Sequence, residues 1–307
     1  MTLDVSLETA SCRKGLSSRF GPVLGFVLWA VTLPVHAQER PYFITYNQEM
    51  EEPGNFEVAL NPVYGTQRDA PSFLAGSTEF EYGVRAWWTT GLYLAGQTTR
   101  HDSTLFTGYR WENRFRPLGR EHRVNPVLYV EFESLNGADK TLLEVVGHDG
   151  EADHASPNEE ARAEHKNEIE TKLILSSNVN GWNLSGNLIA EKNLSNEPWE
   201  LGYALGVSRP LAQAARGAPC SLCPENFTAG FEIYGGLSTI HDAGFTDTSH
   251  YAAAVLAWDL PSGLTLRVSP TVGLNHNSHR FLLRFGMSYE IPGLGHRLGQ
   301  LLRGGRR

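Results

Sequence analysis

No stretch of this 307-residue chain reaches the ~20 consecutive apolar residues that a membrane-crossing helix needs, and mean hydropathy is negative, −0.30. A bundle of membrane helices is excluded. Basic residues are also short: 26 Lys and Arg stand against 34 Asp and Glu, a net charge of −8. Phosphate binding needs a basic patch, so no nucleic-acid partner is expected. Cysteine is scarce, with Cys12, Cys220 and Cys223 the whole complement. That is too few for a disulfide scaffold. No second Cys pair is present to complete a zinc site with Cys220 and Cys223. No amphipathic helical segment is comparable in strength to the chain's period-two runs.

The N-terminal region has the form of an export signal. Arg13, Lys14 and Arg19 precede the apolar stretch VLGFVLWAVTLPV, and Val35-His36-Ala37 follows as a cleavage site of roughly A-x-A type. Residues 1–37 therefore read as a signal peptide, residues 38–291 as the folded domain and residues 292–307 as a basic tail. Loss of residues 1–37 removes three basic and two acidic residues, which moves the net charge from −8 to −9.

What the rest of the chain has in quantity is alternation of period two. In LILSSNVNGWNLSGNLIAE, residues 173–191, apolar Leu173, Leu175, Val179, Trp182, Leu184, Leu188 and Ala190 share one face. Ser176, Asn178, Asn183, Ser185, Asn187 and Glu191 share the other. Asn180-Gly181 lies between the two runs, the strongest local sign of a hairpin, because both turn residues take positive φ. About twelve such runs follow one another from Phe56 to Tyr289, each near the ten-residue length of a tilted membrane strand. Thr107, Tyr109, Trp111 and Phe115 form the apolar face of the fourth, and Tyr251, Ala253, Val255 and Ala257 that of the tenth. Joins at Thr89-Thr90-Gly91, Asn180-Gly181 and Pro261-Ser262-Gly263 are tight and fall at one end. The acidic join from Ser134 to Lys166 is long and falls at the other, as in outer-membrane barrels. Pro117 to Asn125 and Pro210 to Glu225 are long on the nominally short side.

Periodicity does not say what the apolar face meets. In a soluble exported sandwich it would make a core; in a membrane barrel it would meet lipid. Strand length favours lipid, as do aromatics near strand ends (Trp87, Trp88, Trp182, Trp199, Tyr251, Tyr289). The expected fold is all-β, a single closed antiparallel barrel of about twelve strands. Its layout, with EFEYGVRAWWTTGLYL (residues 79–94) and RFLLRFGMSYEIPG (residues 280–293), resembles bacterial outer-membrane barrels of the phenol meta-pathway and transporter-like kind. The resemblance implies an outer-membrane location, lipid and the barrel-assembly machinery as partners, and passage of a small solute. One departure is the ending: many such barrels finish in an aromatic residue, whereas GLGHRLGQLLRGGRR follows the last run here.

On the polar faces, Glu57, Glu79, Glu81, Glu112, Glu131, Glu133, Glu168, Glu170, Glu191, Glu200, Glu232 and Glu290 are expected to point into a lumen. So are Arg85, Arg110, Arg114, Lys172, Arg267, Arg280 and Arg284. Such a set either lines a water-filled pore, with the acid excess favouring cations, or closes a narrow barrel with ion pairs such as Arg110 with Glu131. Cys220-Ser221-Leu222-Cys223-Pro224 reads as a local disulfide, since haem attachment needs His where Pro224 stands. HDGEADH, residues 148–154, mixes carboxylates and imidazoles but lacks the spacing of a calcium loop, so it reads as a solvated surface loop; no metal ligands are assigned, and binding of a partner or divalent ions there stays open. Ser249-His250 and His276-Asn277-Ser278-His279 supply the residue types of a hydrolase without a pattern that joins them. No enzyme activity and no cofactor are expected.

Overall fold

The structure, a computed structural model, describes residues 41–68, 70–141, 156–195, 197–213, 220–295, 297 and 300. The expected signal peptide, the HDGEADH stretch and most of the basic tail lie outside the described residues. Twelve strands follow in chain order: β1 (Phe56–Thr66), β2 (Phe73–Arg85), β3 (Trp88–Thr99), β4 (Thr104–Phe115), β5 (Asn125–Asn136), β6 (His165–Val179), β7 (Trp182–Asn193), β8 (Trp199–Pro210), β9 (Phe227–Thr239), β10 (His250–Asp259), β11 (Leu264–Gly273) and β12 (Phe281–Ile291). Each pairs antiparallel with the next, and β12 returns to β1, with Glu57 opposite Glu290 and Leu60 opposite Met287. The sheet is a closed barrel without an edge.

The two faces are inverted relative to a soluble protein. Every strand contributes at least one large apolar side chain to the exposed outer surface, among them Leu60, Leu74, Leu94, Trp111, Leu128, Leu173, Leu188, Leu205, Phe231, Leu256, Val272 and Phe285. Leu188 is 60% exposed, whereas Glu112 and Glu232, on the inner face, are fully buried. A continuous apolar belt of this extent far exceeds the patches of soluble monomers. Hydrocarbon also demands a closed sheet, because unpaired backbone groups find no water there. The alternating face of residues 173–190 therefore meets lipid, and the soluble sandwich is set aside. Aromatics ring one rim: Trp87, Trp88 and Phe115 stack with centroids 6.1–6.3 Å apart, and Phe227 stacks on Trp258 at 5.6 Å.

Three local expectations are corrected. The tight join between β2 and β3 is Ala86–Trp87, and Thr89, Thr90 and Gly91 already lie in β3. Thr107 faces inward, 1% exposed, because it is the extra residue of a bulge on β4, between Phe106 opposite Gly96 and Gly108 opposite Ala95, which shifts the alternation before Tyr109. In β10 the faces are exchanged: Tyr251, Ala253, Val255 and Ala257 are buried inside, and Leu256 is outside. That strand is apolar on both faces, so alternation alone could not orient it. Asn180 and Gly181 do form the turn between β6 and β7, with φ of 52° and 78°.

Because Leu188 lies mid-strand on the lipid face, Leu188→Arg is predicted to cost about 2–4 kcal/mol in urea titrations of vesicle-inserted protein. An exposed Leu→Arg change on a soluble surface would shift stability by about ±0.5 kcal/mol.

Candidate functional site: the lumen and the segment inside it

The interior is a charged lumen crossed by a peptide segment. Among the described residues, twelve buried carboxyls (Glu57, Glu79, Glu81, Glu112, Glu131, Glu133, Asp139, Glu168, Glu170, Glu191, Glu232, Glu290) face four buried cations, Arg114, Lys140, Lys172 and Arg267. Arg110, Arg284 and Glu200 are half-buried. Arg85 and Arg280 are exposed. Arg85 is the last residue before the Ala86–Trp87 turn, at the rim, where the register slips between Gly83 and Arg85.

Register, which the sequence does not carry, aligns the acids into a row. Glu290, Glu57 and Glu81 are direct neighbours on β12, β1 and β2. Gly91 interrupts on β3. Glu112, Glu131, Glu170, Glu191 and Glu200 then continue from β4 to β8. Like charges directly opposite one another are destabilising unless something intervenes. Part of the compensation is internal. Arg114 pairs with Glu81 and approaches Glu112 at 2.7 Å, a charge contact without hydrogen-bond alignment. Lys172 pairs with Glu170 at 2.8 Å, and its ammonium sits 4.8 Å and 4.4 Å from the rings of Tyr46 and Tyr129. Arg110 stands opposite Glu133, two pairs along the register from Glu131, which faces Glu112. Its guanidinium lies over the Tyr93 ring at 5.4 Å.

Sequence reasoning missed the segment before β1. Residues 41–55 run inside the barrel, with Tyr42, Thr45 and Asn47 at most 2% exposed. The backbone N–H groups of Phe43, Ile44 and Thr45 all donate to the Glu232 carboxylate, at 3.2, 3.2 and 2.9 Å. Asn187 reads the next residue on both sides: it accepts from Tyr46 N at 2.7 Å and donates to Tyr46 O at 2.9 Å. The Tyr46 hydroxyl donates to Glu112 at 2.8 Å, Arg267 donates to Tyr42 O at 3.0 Å, and Arg114 donates to Glu49 O at 3.2 Å. Ile44 and Met50 pack on two apolar clusters of the inner wall. Burial raises the Tyr42 phenol well above its ordinary range. The close approach uses missing side chains. A Cβ at Gly83 would sit 2.0 Å from Glu52 O, and one at Gly206 would sit 2.8 Å from the Tyr42 ring. The available sequence signal was negative: Tyr42 to Pro53 lacks the alternation of every strand yet lies inside the domain.

At the other mouth, the described ends of the β5–β6 join fold inward. Ala138 and Asn158 are fully buried. Gln97 donates to Ala138 O at 2.7 Å, and Asn158 accepts from Thr99 at 3.1 Å. The hydrolase residue types do not converge on a triad. His250 contacts Tyr203 and Thr248 through its ring nitrogens, His279 contacts Tyr251, and Ser278 Oγ donates to the backbone carbonyl of His250. Cys220 and Cys223 are bridged, with Cα atoms 5.4 Å apart.

No protein-family model matches the sequence, and no curated protein matches it. Among solved structures, the chain is similar to the KdgM porin at 8% identity, with a TM-score of 0.47 over 76% of this chain and 98% of that one. The NanC porin matches at 10% identity, with a TM-score of 0.47 over 76% and 98%. An outer membrane channel from Pseudomonas putida F1 matches at 10% identity, with a TM-score of 0.46 over 81% and 100%. Likeness at this level carries no argument about solute or mechanism.

Glu232→Ala leaves three consecutive N–H groups without their acceptor, and an unsatisfied buried donor costs about 1–3 kcal/mol. With Thr45→Cys as a reporter, the segment is predicted to resist a water-soluble maleimide in the parent protein. It is predicted to label at least roughly tenfold faster once Glu232→Ala is added, since 1.4 kcal/mol is a factor of ten in opening.

Proposed function

We propose that this chain is an outer-membrane channel that passes a small solute passively, with residues 41–53 as the gate in its lumen. The observation that carries the reading is the division of labour inside the barrel. The wall presents a charged, hydratable lining, whereas the obstruction is a separate, non-strand segment whose N–H groups donate to Glu232 and Asn187 and whose carbonyls accept from Arg267 and Arg114. A barrel meant only as a structural pillar could close itself with wall side chains. Here removal of one segment would open space. A cavity of about 820 Å³, counting the part open to solvent, already runs beside it, lined by Phe43, Ile44, Asn61, Arg110, Arg267 and Arg284 among others. A non-conducting barrel with an ion-paired lumen is the second reading; the Arg114 and Lys172 pairs favour it locally.

The excess of buried carboxyls over cations gives the open lumen a cation preference. In planar bilayers, the full-length protein is predicted to show rare, brief openings. A variant lacking residues 41–50 is predicted to conduct steadily, with a reversal potential on the cation-selective side in a salt gradient. Absence of current from that variant, once its folding is verified by slower migration after boiling on SDS gels, would contradict the channel reading.

A further inference from the structure

Beyond gating, the lumen holds a place for a metal ion. Glu131 and Glu133 on β5 and Glu170 on β6 each offer one carboxylate oxygen, and the three oxygens lie within 4.8 Å of one another. Calcium–oxygen bonds run about 2.3–2.6 Å, so two ligands of one ion stand at most about 5 Å apart. A single ion can therefore touch all three. A second observation comes from the neighbouring strand. Glu191 on β7, directly opposite Glu170, is 7% exposed and lines the same cavity. No hydrogen bond or ion pair reaches its carboxylate among the described residues.

The charges at this cavity leave a definite remainder. Four carboxylates line it, Glu131, Glu133, Glu170 and Glu191, together with two cations, Arg110 and Lys172. Lys172 is committed to Glu170 and to the rings of Tyr46 and Tyr129. Arg110 forms no ion pair within 4.0 Å to any carboxylate of the described residues. With all six groups ionised the residue is two negative charges, the charge of one divalent cation. Glu131, Glu133 and Glu170 are 2%, 5% and 4% exposed, so little bulk water is at hand to screen them. Uncompensated carboxylates so placed must take up protons or a cation. Carboxylate-only ligation selects a hard ion, and a cavity of about 650 Å³, counting its open part, leaves room for the waters that complete its shell. We propose that Glu131, Glu133 and Glu170, with Glu191 behind them, bind a single calcium-like divalent cation in the lumen. Neither the channel reading nor the gate is needed for this site.

Tyr129 and Tyr46 line the same cavity and can transfer excitation to a bound lanthanide. The test is terbium titration of the full-length protein in detergent micelles, with tyrosine excitation and terbium emission read, followed by competition with calcium. Saturable one-to-one emission, displaced by calcium and weakened at least roughly tenfold by the pair Glu131→Gln and Glu170→Gln, is expected. Calcium should also raise the heat-modifiability midpoint of the parent protein but not of the variant. Glu133→Gln alone serves if the double variant does not fold, with the same direction of change. Emission that does not saturate, that calcium fails to displace, or that is equal in parent and variants would overturn the proposal and leave protons as the neutralising species.

Discussion

Closure of the backbone hydrogen-bond ladder between β1 and β12 is the constraint from which the rest of the molecule follows. In hydrocarbon an unpaired N–H or C=O has no water to turn to, and each one left open costs several kcal/mol. Pairing from Phe56 with Ile291 to Thr66 with Phe281 removes the last edge. Once the sheet is a tube, period-two alternation has only two destinations, lipid and lumen. Leu60 and Met287 go to the first, Glu57 and Glu290 to the second. A tube of twelve strands is too wide for its own inward side chains to fill with apolar contacts alone, and charge takes their place.

Charge inside a low-dielectric wall brings its own demands. Register sets Glu112, Glu131, Glu170 and Glu191 side by side on four successive strands. The chain answers with three devices of different kinds. Arg114 and Lys172 neutralise from the wall. Tyrosine hydroxyls donate to the acids, as Tyr93 does at 2.7 Å to Glu79 and to Glu112, with one proton to serve both. Backbone N–H groups of the inserted segment hydrogen-bond Glu232, so that a buried carboxylate becomes the anchor of that segment. In the channel we propose, gate and pore lining would be the same chemistry in two states: with the segment out, Glu232, Asn187 and Glu112 would face water.

Much of this was legible in the residues and some could not be. Alternation placed all twelve strands and sent Glu57, Glu79, Glu81, Glu112, Glu131, Glu133, Glu170, Lys172 and Arg267 inward, because period two is a local property of each strand. It failed where local signals ran out. β10 is apolar on both faces, and the bulge at Gly96 and Gly108 changes phase without a sequence mark strong enough to read. Arg85 escaped the lumen because the turn came at Ala86–Trp87, ahead of the glycine that seemed to announce it. The row of glutamates was invisible for a deeper reason: sequence says which face a residue takes, and only pairing register says which residue stands beside it. The inserted segment has no periodicity at all, since its partners are side chains far off in the chain, from Arg114, 65 residues from Glu49, to Arg267, 225 residues from Tyr42.

Spin labels placed singly from Leu184 to Leu188 on β7 would show whether one tube separates lipid from a polar interior. Collision with oxygen, which concentrates in the bilayer, is predicted to peak at Leu184, Gly186 and Leu188 and to fall at Ser185 and Asn187. Low oxygen collision at Leu184 and Leu188, as a packed protein core would give, would contradict the account.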